Sequence, residues 1–349
     1  MKYFITIPIL LVFFSCQNPN KYEMIIDFPA TTDLSCETIT IPVQLFTPAG
    51  LILLDSAIIT LDLKADTIFQ LFKYPSFEHL TSFMKRGSGP NEEIFIDPFI
   101  QQISDNKFIY KNLNSVKIVE YNIHKQNLEV IEEIKLPAEL MDFFHIINLG
   151  DRIIGVRSDV ATNKELTSYD TLTNSIMNFG ANYPKVINEN RLTDRDKIQL
   201  FAKAMTAKPD GKMFACVYDK FPILRIFSEN GQMIKEVRLK NGQSFPTALT
   251  KSNPSDSEIG EITQNYRMIK STDNYIYALY IGKKNKDLEP GLNDFSNIIH
   301  IWDWNGNPIS KLVLDNKIFT FDVSKDDKYL IACSLEKLDE LYKYNLFGK

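Results

Sequence analysis

Histidine and cysteine are scarce in this chain, at four residues each in 349, and their spacing excludes more than their number does. His79, His124, His145 and His300 stand alone, and none has a second ligand at metal-binding spacing. They read as ordinary half-buried strand residues, so no metal is expected. Beyond Cys16, the cysteines are Cys36, Cys216 and Cys333, an odd number at wide intervals. That pattern gives neither a disulfide framework nor a zinc site, and these thiols are expected to be small buried apolar groups. No Gly-x-Ser-x-Gly elbow occurs, which argues against a hydrolase of that kind. The one glycine-rich loop lacks the Gly-Lys-Ser/Thr ending of a nucleotide-binding loop. No catalytic constellation and no cofactor are legible. The charge balance, 39 basic against 44 acidic residues, leaves −5 and no basic excess, so nucleic acid is not an expected partner.

Long apolar runs are also missing, with one short exception at the N-terminus. Lys2 precedes an apolar run from Phe4 to Phe14 that is too short to span a bilayer, and Ser15-Cys16 follows it. We read residues 1–15 as a lipoprotein signal peptide and Cys16 as the lipidated residue, because the cysteine sits where the apolar run ends. The alternative is an ordinary secretory signal cleaved elsewhere. Residues 16–37 are then the anchor and its tether. Within it, Gln17 to Ala30 lacks periodicity and holds Pro19 and Pro29. Fourteen extended residues at ~3.3 Å each reach roughly 45 Å, enough to hold a domain clear of a membrane.

What the chain has in quantity is short apolar runs between tight polar turns. The clearest stretch is Asn297 to Leu346. Ile298–Trp304 reads as a strand rich in β-branched and aromatic residues, Asn305-Gly306-Asn307 as a turn, and Ile309–Leu314 as its return. Further strands are expected at Ile318–Val323, Tyr329–Cys333 and Glu340–Asn345. Apolar side chains fall on both faces, so both faces must be covered. The pattern recurs upstream at a period of about fifty residues, which is the signature of a propeller array.

Six such units fit between Leu51 and the C-terminus. The sixth is one strand short, and Thr38–Gln44 is a strand to spare at the other end, set off by the turn Thr47–Gly50. The expected fold over residues 38–349 is therefore an all-β, six-bladed propeller of four-stranded antiparallel blades. Its ring would be closed by the N-terminal strand joining the last blade.

Three places now carry a family resemblance: the leader ending at Cys16, the loop Arg86-Gly87-Ser88-Gly89-Pro90-Asn91-Glu92, and the run Ile299–Asp315. Together they resemble the TolB-like six-bladed propeller lipoproteins of Gram-negative envelopes. The loop is similar to that family's Gly-x-Gly-Pro-Gly-Glu, with Asn91 where glycine is usual, and Asn also tolerates the left-handed region. Phe13 and Phe14 depart from the usual leucine and small residue before the lipidated cysteine. The resemblance implies an outer-membrane lipoprotein on the periplasmic side or the surface, and no established reaction.

Strand parity places the long connections. Turns within strand pairs are short, whereas Arg86–Asp97, Gly180–Leu200, Lys240–Asn265 and Lys283–Asn297 are long, and counting puts all four at one end of the ring. Loops longer than a turn requires are where function concentrates. We therefore expect a binding face there, with Arg86, Ser88, Asn91 and Glu92 as its candidate loop residues. The competing reading of that loop is a tight crossing between blades shaped by Gly87 and Gly89. Asn188–Leu200 is expected to hold a short helix. Two functions of different class remain. One is a binding or scaffolding module for a protein, peptide or glycan. The other is a secreted hydrolase or lyase with a channel-mouth site, in which Glu92, Asp97 and Asp142 would be the nearest acids.

Overall fold

In a computed structural model of the chain, the structure describes residues 22–89, 91–157, 164–184, 197–240 except 199, 251–288 except 252, and 295–346. Among the described residues three short strands come first: β1 (Glu23–Ile25), β2 (Thr31–Leu34) and β3 (Glu37–Thr40). Blade 1 is β4 (Pro48–Leu53), β5 (Ala57–Asp62), β6 (Thr67–Lys73) and β7 (His79–Arg86), with the two-residue β8 (Glu92–Glu93) beside β7. Blade 2 is β9 (Gln101–Ser104), β10 (Lys107–Lys111), β11 (Ser115–Asn122) and β12 (Asn127–Lys135). Blade 3 is β13 (Phe144–Asn148), β14 (Arg152–Val156), β15 (Lys164–Asp170) and β16 (Ser175–Asn182). Blade 4 is β17 (Lys203–Ala207), β18 (Met213–Tyr218), β19 (Ile223–Ser228) and β20 (Met233–Leu239). Blade 5 is β21 (Thr263–Ser271), β22 (Tyr275–Lys284), β23 (Ser296–Asp303) and β24 (Pro308–Ile318). Blade 6 is β25 (Thr320–Val323), β26 (Tyr329–Cys333) and β27 (Glu340–Asn345), beside which β3 lies antiparallel with Leu341 opposite Ile39.

The strands are apolar on both faces because each sheet is packed on both sides. Every residue of β5 is buried, Thr60 and Asp62 included. The core is correspondingly divided. Among the described residues, six clusters of buried apolar side chains each join two neighbouring blades: one holds Ile59, Phe69 and Phe108, another Ile109 and Ile153, and a third Leu166 and Phe214. Val217 likewise shares a cluster with Ile276, Leu279 with Leu330, and Ile331 with Ile58. Burial at about 25 cal/mol per Å² therefore acts between sheets, and each sheet depends on its neighbours.

The N-terminal stretch differs from the expected tether. Residues 17–21 lie outside the described residues, but from Glu23 the chain is seated on the propeller. β1 runs parallel to β20 with Glu23 opposite Val237, and β2 runs parallel to β24 with Thr32 opposite Leu312. The outer strands offer free main-chain groups, and pairing satisfies them. Ile25 and Phe28 add buried contacts beside Val237 and Trp302. The chain thus runs round the outside of blades 4, 5 and 6 before β4 begins.

Smaller differences have local causes. The last-blade strand ends at Thr40, two residues before Pro42, which has no N–H to donate. Thr47–Gly50, expected as a turn, instead opens β4. Pro48 sits at its first residue, where proline is tolerated, and the register shifts between Pro48 and Gly50. β24 continues to Ile318, so only Phe319 separates it from β25. Lys240–Asn265 contains a short helix, α1 (Asp256–Gly260), started by a reciprocal capping box between Ser255 and Glu258. Of Asn188–Leu200, Lys197, Ile198 and Leu200 are helical, and the residues before 197 lie outside the described ones.

Candidate functional site

The innermost strands β4, β9, β13, β17, β21 and β25 surround a central channel, and the connections between strands form its two ends. At the long-loop end the charges are built into the fold. Glu165 on β15 is fully buried and accepts Lys203 Nζ at 2.8 Å and Arg225 Nη1 at 2.7 Å, both from blade 4, as well as the Tyr218 hydroxyl. Burial alone would raise its carboxyl, but Lys203 and Arg225 outweigh that and hold it below the ordinary carboxylate range. Arg225 also donates to Asn182 O at 2.7 Å and pairs with Glu236. Blades 1 and 2 repeat the device. Glu93 accepts Tyr110 Oη at 3.1 Å, Asn112 Nδ2 at 2.9 Å and Lys117 Nζ at 2.6 Å.

Asp97 and His145 link blades 2, 3 and 4 at the same end. The Asp97 carboxylate accepts the backbone N–H groups of Phe99 (3.0 Å) and His145 (2.9 Å). His145 sits at φ +51, and its Nδ1 lies 2.6 Å from Lys203 O. Its ring packs on Phe99 with centroids 4.0 Å apart. Burial pulls its pKa below the usual 6.5 although Asp97 pulls the other way. Burial likewise lowers Lys111, opposed by Asp97 and Asp142.

The loop Arg86–Glu93, apart from Pro90, is occupied with its own geometry. Arg86 reaches back over blade 1, donating to Leu63 O at 2.7 Å and Ala65 O at 3.3 Å. Glu92 folds inward, and its carboxylate accepts the Gly89 N–H at 2.9 Å. A Cβ at Gly87 would fall 2.1 Å from Glu92 Oε2, so a side chain there would displace the Glu92 carboxylate from its present place. Asn91 takes φ +62, and Ser88 is exposed. Of the four long connections, 185–196, 241–250 and 289–294 lie outside the described residues. Their flanks meet at this end: Gln264 Nε2 donates to Asn285 Oδ1 at 2.6 Å, and Lys284 pairs with Glu261 at 2.6 Å. Exposed apolar side chains also stand on the connections at this end of blades 1 to 3: Phe46, Ile94, Phe95, Leu113 and Met141.

The opposite, short-turn end is open. A cavity of about 810 Å³ lies within the channel, bounded inward by Pro98 and Phe99 and reaching the turns that follow the inner strands of blades 2 to 6. It continues outward between blades 2 and 3, past Ile118 and Glu132. Across the channel, Lys270 from blade 5 donates to Leu51 O of blade 1 at 2.8 Å and lies 3.8 Å from Asp322 of blade 6. That bridge closes the side of blade 1 and leaves the space to blades 2 to 6. The lining holds six acids, Asp105, Glu132, Asp151, Asp210, Asp273 and Asp322, against Lys208, Lys270 and Lys325. Each lysine is matched by an acid: Lys208 with Asp210 (3.5 Å), Lys325 with Asp105 (2.7 Å) and Lys270 with Asp322. The remainder is net acidic.

Six packed blades and this loop chemistry agree with the comparison to known proteins. A family model described as TolB-like 6-blade propeller-like matches residues 31–326. The chain belongs to the TolB-like propeller family. No curated protein matches it. Among solved structures, a member of the DUF4221 family from Bacteroides vulgatus is similar with a TM-score of 0.60, at 10% identity over 89% of this chain and 97% of that one. A protein of Bacteroides fragilis designated as exported is similar with a TM-score of 0.57, at 13% identity over 91% of this chain and 99% of that one. At such identities these two show the fold.

In this TolB-like propeller the acids named from sequence do not converge. Glu92 is turned into its own loop, Asp97 holds backbone amides, and Asp142 stands beside Lys111. Among the described residues no three His, Cys, Asp or Glu side chains are grouped to hold a metal ion. Cys216 and Cys333 are buried, and burial pushes the Cys216 thiol up to about 12; Cys36 is half-buried. Cys16 lies outside the described residues. Sequence reasoning missed the cavity, because it arises from six inner strands far apart in the chain. The recurring aspartate in the turns at its mouth was a signal, but turn geometry alone accounts for it: Asp210 Oδ1 accepts the Lys212 N–H at 3.0 Å.

Proposed function

We propose that this chain is an exported binding module, anchored at the outer membrane through lipid on Cys16, that holds a protein, peptide or glycan at the mouth of its central channel. The observation that carries the reading is the cavity at the short-turn end, roomy enough for a small ligand or a few side chains. Its net acidic lining favours an occupant that presents positive charge. The exported designation of the Bacteroides fragilis protein supports the cellular address.

The test is retention of envelope partners by the full-length protein and by Asp151→Lys/Asp273→Lys. Both aspartates are exposed, so the melting temperature should hold while retention falls several-fold. An unchanged partner set overturns the short-turn site. A second reading, carried by the exposed apolar side chains on the connections there, places the partner at the long-loop end. Phe95→Ser/Leu113→Ser separates the two, since only that reading expects this variant to lose the partner.

A further inference from the structure

The first described strand presents an unusual surface. β1 is the outermost strand of blade 4, and alternation along it sends Ile25 inward at 7% exposure. Tyr22, Met24 and Ile26 point the other way and are 42%, 47% and 78% exposed. Three large apolar side chains in a row on an outer edge are not needed for packing, because Ile25 and Phe28 already fasten the segment. The Tyr22 ring lies 4.0 Å from the Arg238 guanidinium, which is paired in turn with Glu236. Aromatic, cationic and aliphatic groups side by side are the composition that settles at the boundary between lipid headgroups and acyl chains.

We infer that Tyr22, Met24 and Ile26 form a membrane-contacting strip that lays the outer edge of blade 4 against the bilayer carrying the anchor. This rests on the proposed lipidation of Cys16. Tyr22 is six positions beyond Cys16, and at ~3.3 Å for each step the chain reaches about 20 Å, so the strip cannot stray far from the acylated cysteine. One acyl anchor together with a local apolar surface holds more firmly than the anchor alone. The orientation also matters for the channel. With the edge of blade 4 on the membrane, the channel axis lies along the membrane plane, and both mouths stay open to partners.

Full-length Met24→Trp, made with its own leader and reconstituted in vesicles of brominated phospholipid, tests the strip. The native Trp302 and Trp304 are buried in blade 5 and should be insensitive to the bromines. The expected result is loss of most of the introduced emission relative to unbrominated vesicles, with little loss for the control Ile123→Trp on blade 2, whose position is also exposed and apolar. Ile26→Trp provides a second position should Met24→Trp misfold. Equal quenching of strip and control, or none at either strip position, overturns the inference. Fatty-acid labelling of the same protein reads the anchor separately. Label without quenching refutes the strip and keeps the anchor, whereas quenching without label keeps the strip and refutes the anchor.

Discussion

The two ends of the channel use charge in opposite ways. At the long-loop end, Glu165, Lys203, Arg225, Glu93 and Asp97 are buried, and their donors and acceptors are taken up by neighbouring blades. At the short-turn end, Asp105, Asp151, Asp210 and Asp273 stand in water around an open cavity. Charges of the first kind hold blades in register, and their loss is felt as stability. Charges of the second kind contribute little to the fold; Asp105 and Asp210 are paired with Lys325 and Lys208, and Asp151 and Asp273 are the acids left to meet a ligand. The richest cluster of ionisable groups is thus the structural one, and the sparser, exposed ring is the better candidate for recognition.

The largest expected effect breaks the first end. Glu165→Ala leaves Lys203 and Arg225 buried without their shared acceptor, at a cost of about 3–5 kcal/mol. Stability of a typical domain is only about 5–15 kcal/mol, so urea unfolding should begin far earlier or the variant should not accumulate. Asp273→Asn at the other end should stay within about 0.5 kcal/mol. Similar losses for the two would erase the distinction between the ends.

Acid should separate them as well. Burial holds the His145 pKa below 6.5, so the unfolded chain binds the proton more readily than the folded one. Stability from this group is complete above pH 6.5 and falls as pH drops towards the lower folded value. Glu165 is held below its ordinary 4.5, so its contribution is present above that value and is lost as pH falls further. His145→Asn keeps a residue that tolerates positive φ and cannot be protonated. Its urea midpoint should therefore drop less between pH 7 and pH 5 than that of the parent. The slope that remains belongs to His300, which burial takes down to about 3, and to His79, which burial also lowers. An unchanged slope in His145→Asn would show that this end does not sense acid through His145.

How much of this was legible in the sequence depends on the range of the signal. Strand runs such as Ile298–Trp304 and Tyr329–Cys333 read directly, because alternation and turn residues are local and the packing on both faces agrees with them. β1 and β2 were read as tether, since three or four residues carry no periodicity and their pairing is decided by the free edges of β20 and β24. Glu165, Lys203 and Arg225 gave no signal either. They lie 38 and 60 residues apart, on strands whose sequence only asks to be buried. The cavity was hidden for the same reason, and long loops drew attention to the end where charge is structural.

The loop Arg86–Glu93 offers the finest test, because sequence marks it as a candidate and geometry shows it engaged with itself. Asn91→Ala puts a residue with no polar side chain at φ +62 and should cost about 1–2 kcal/mol without altering any exposed group used for recognition. Ser88→Ala should cost less than about 0.5 kcal/mol, since Ser88 is exposed. If the short-turn mouth carries the ligand, both variants retain envelope partners as well as the parent does once folded protein is matched in amount. If Ser88→Ala alone sheds the partner while melting like the parent, the loop recognises something through that hydroxyl. The difference between the two ends would then lie in the shape of the surface and no longer in the availability of charge.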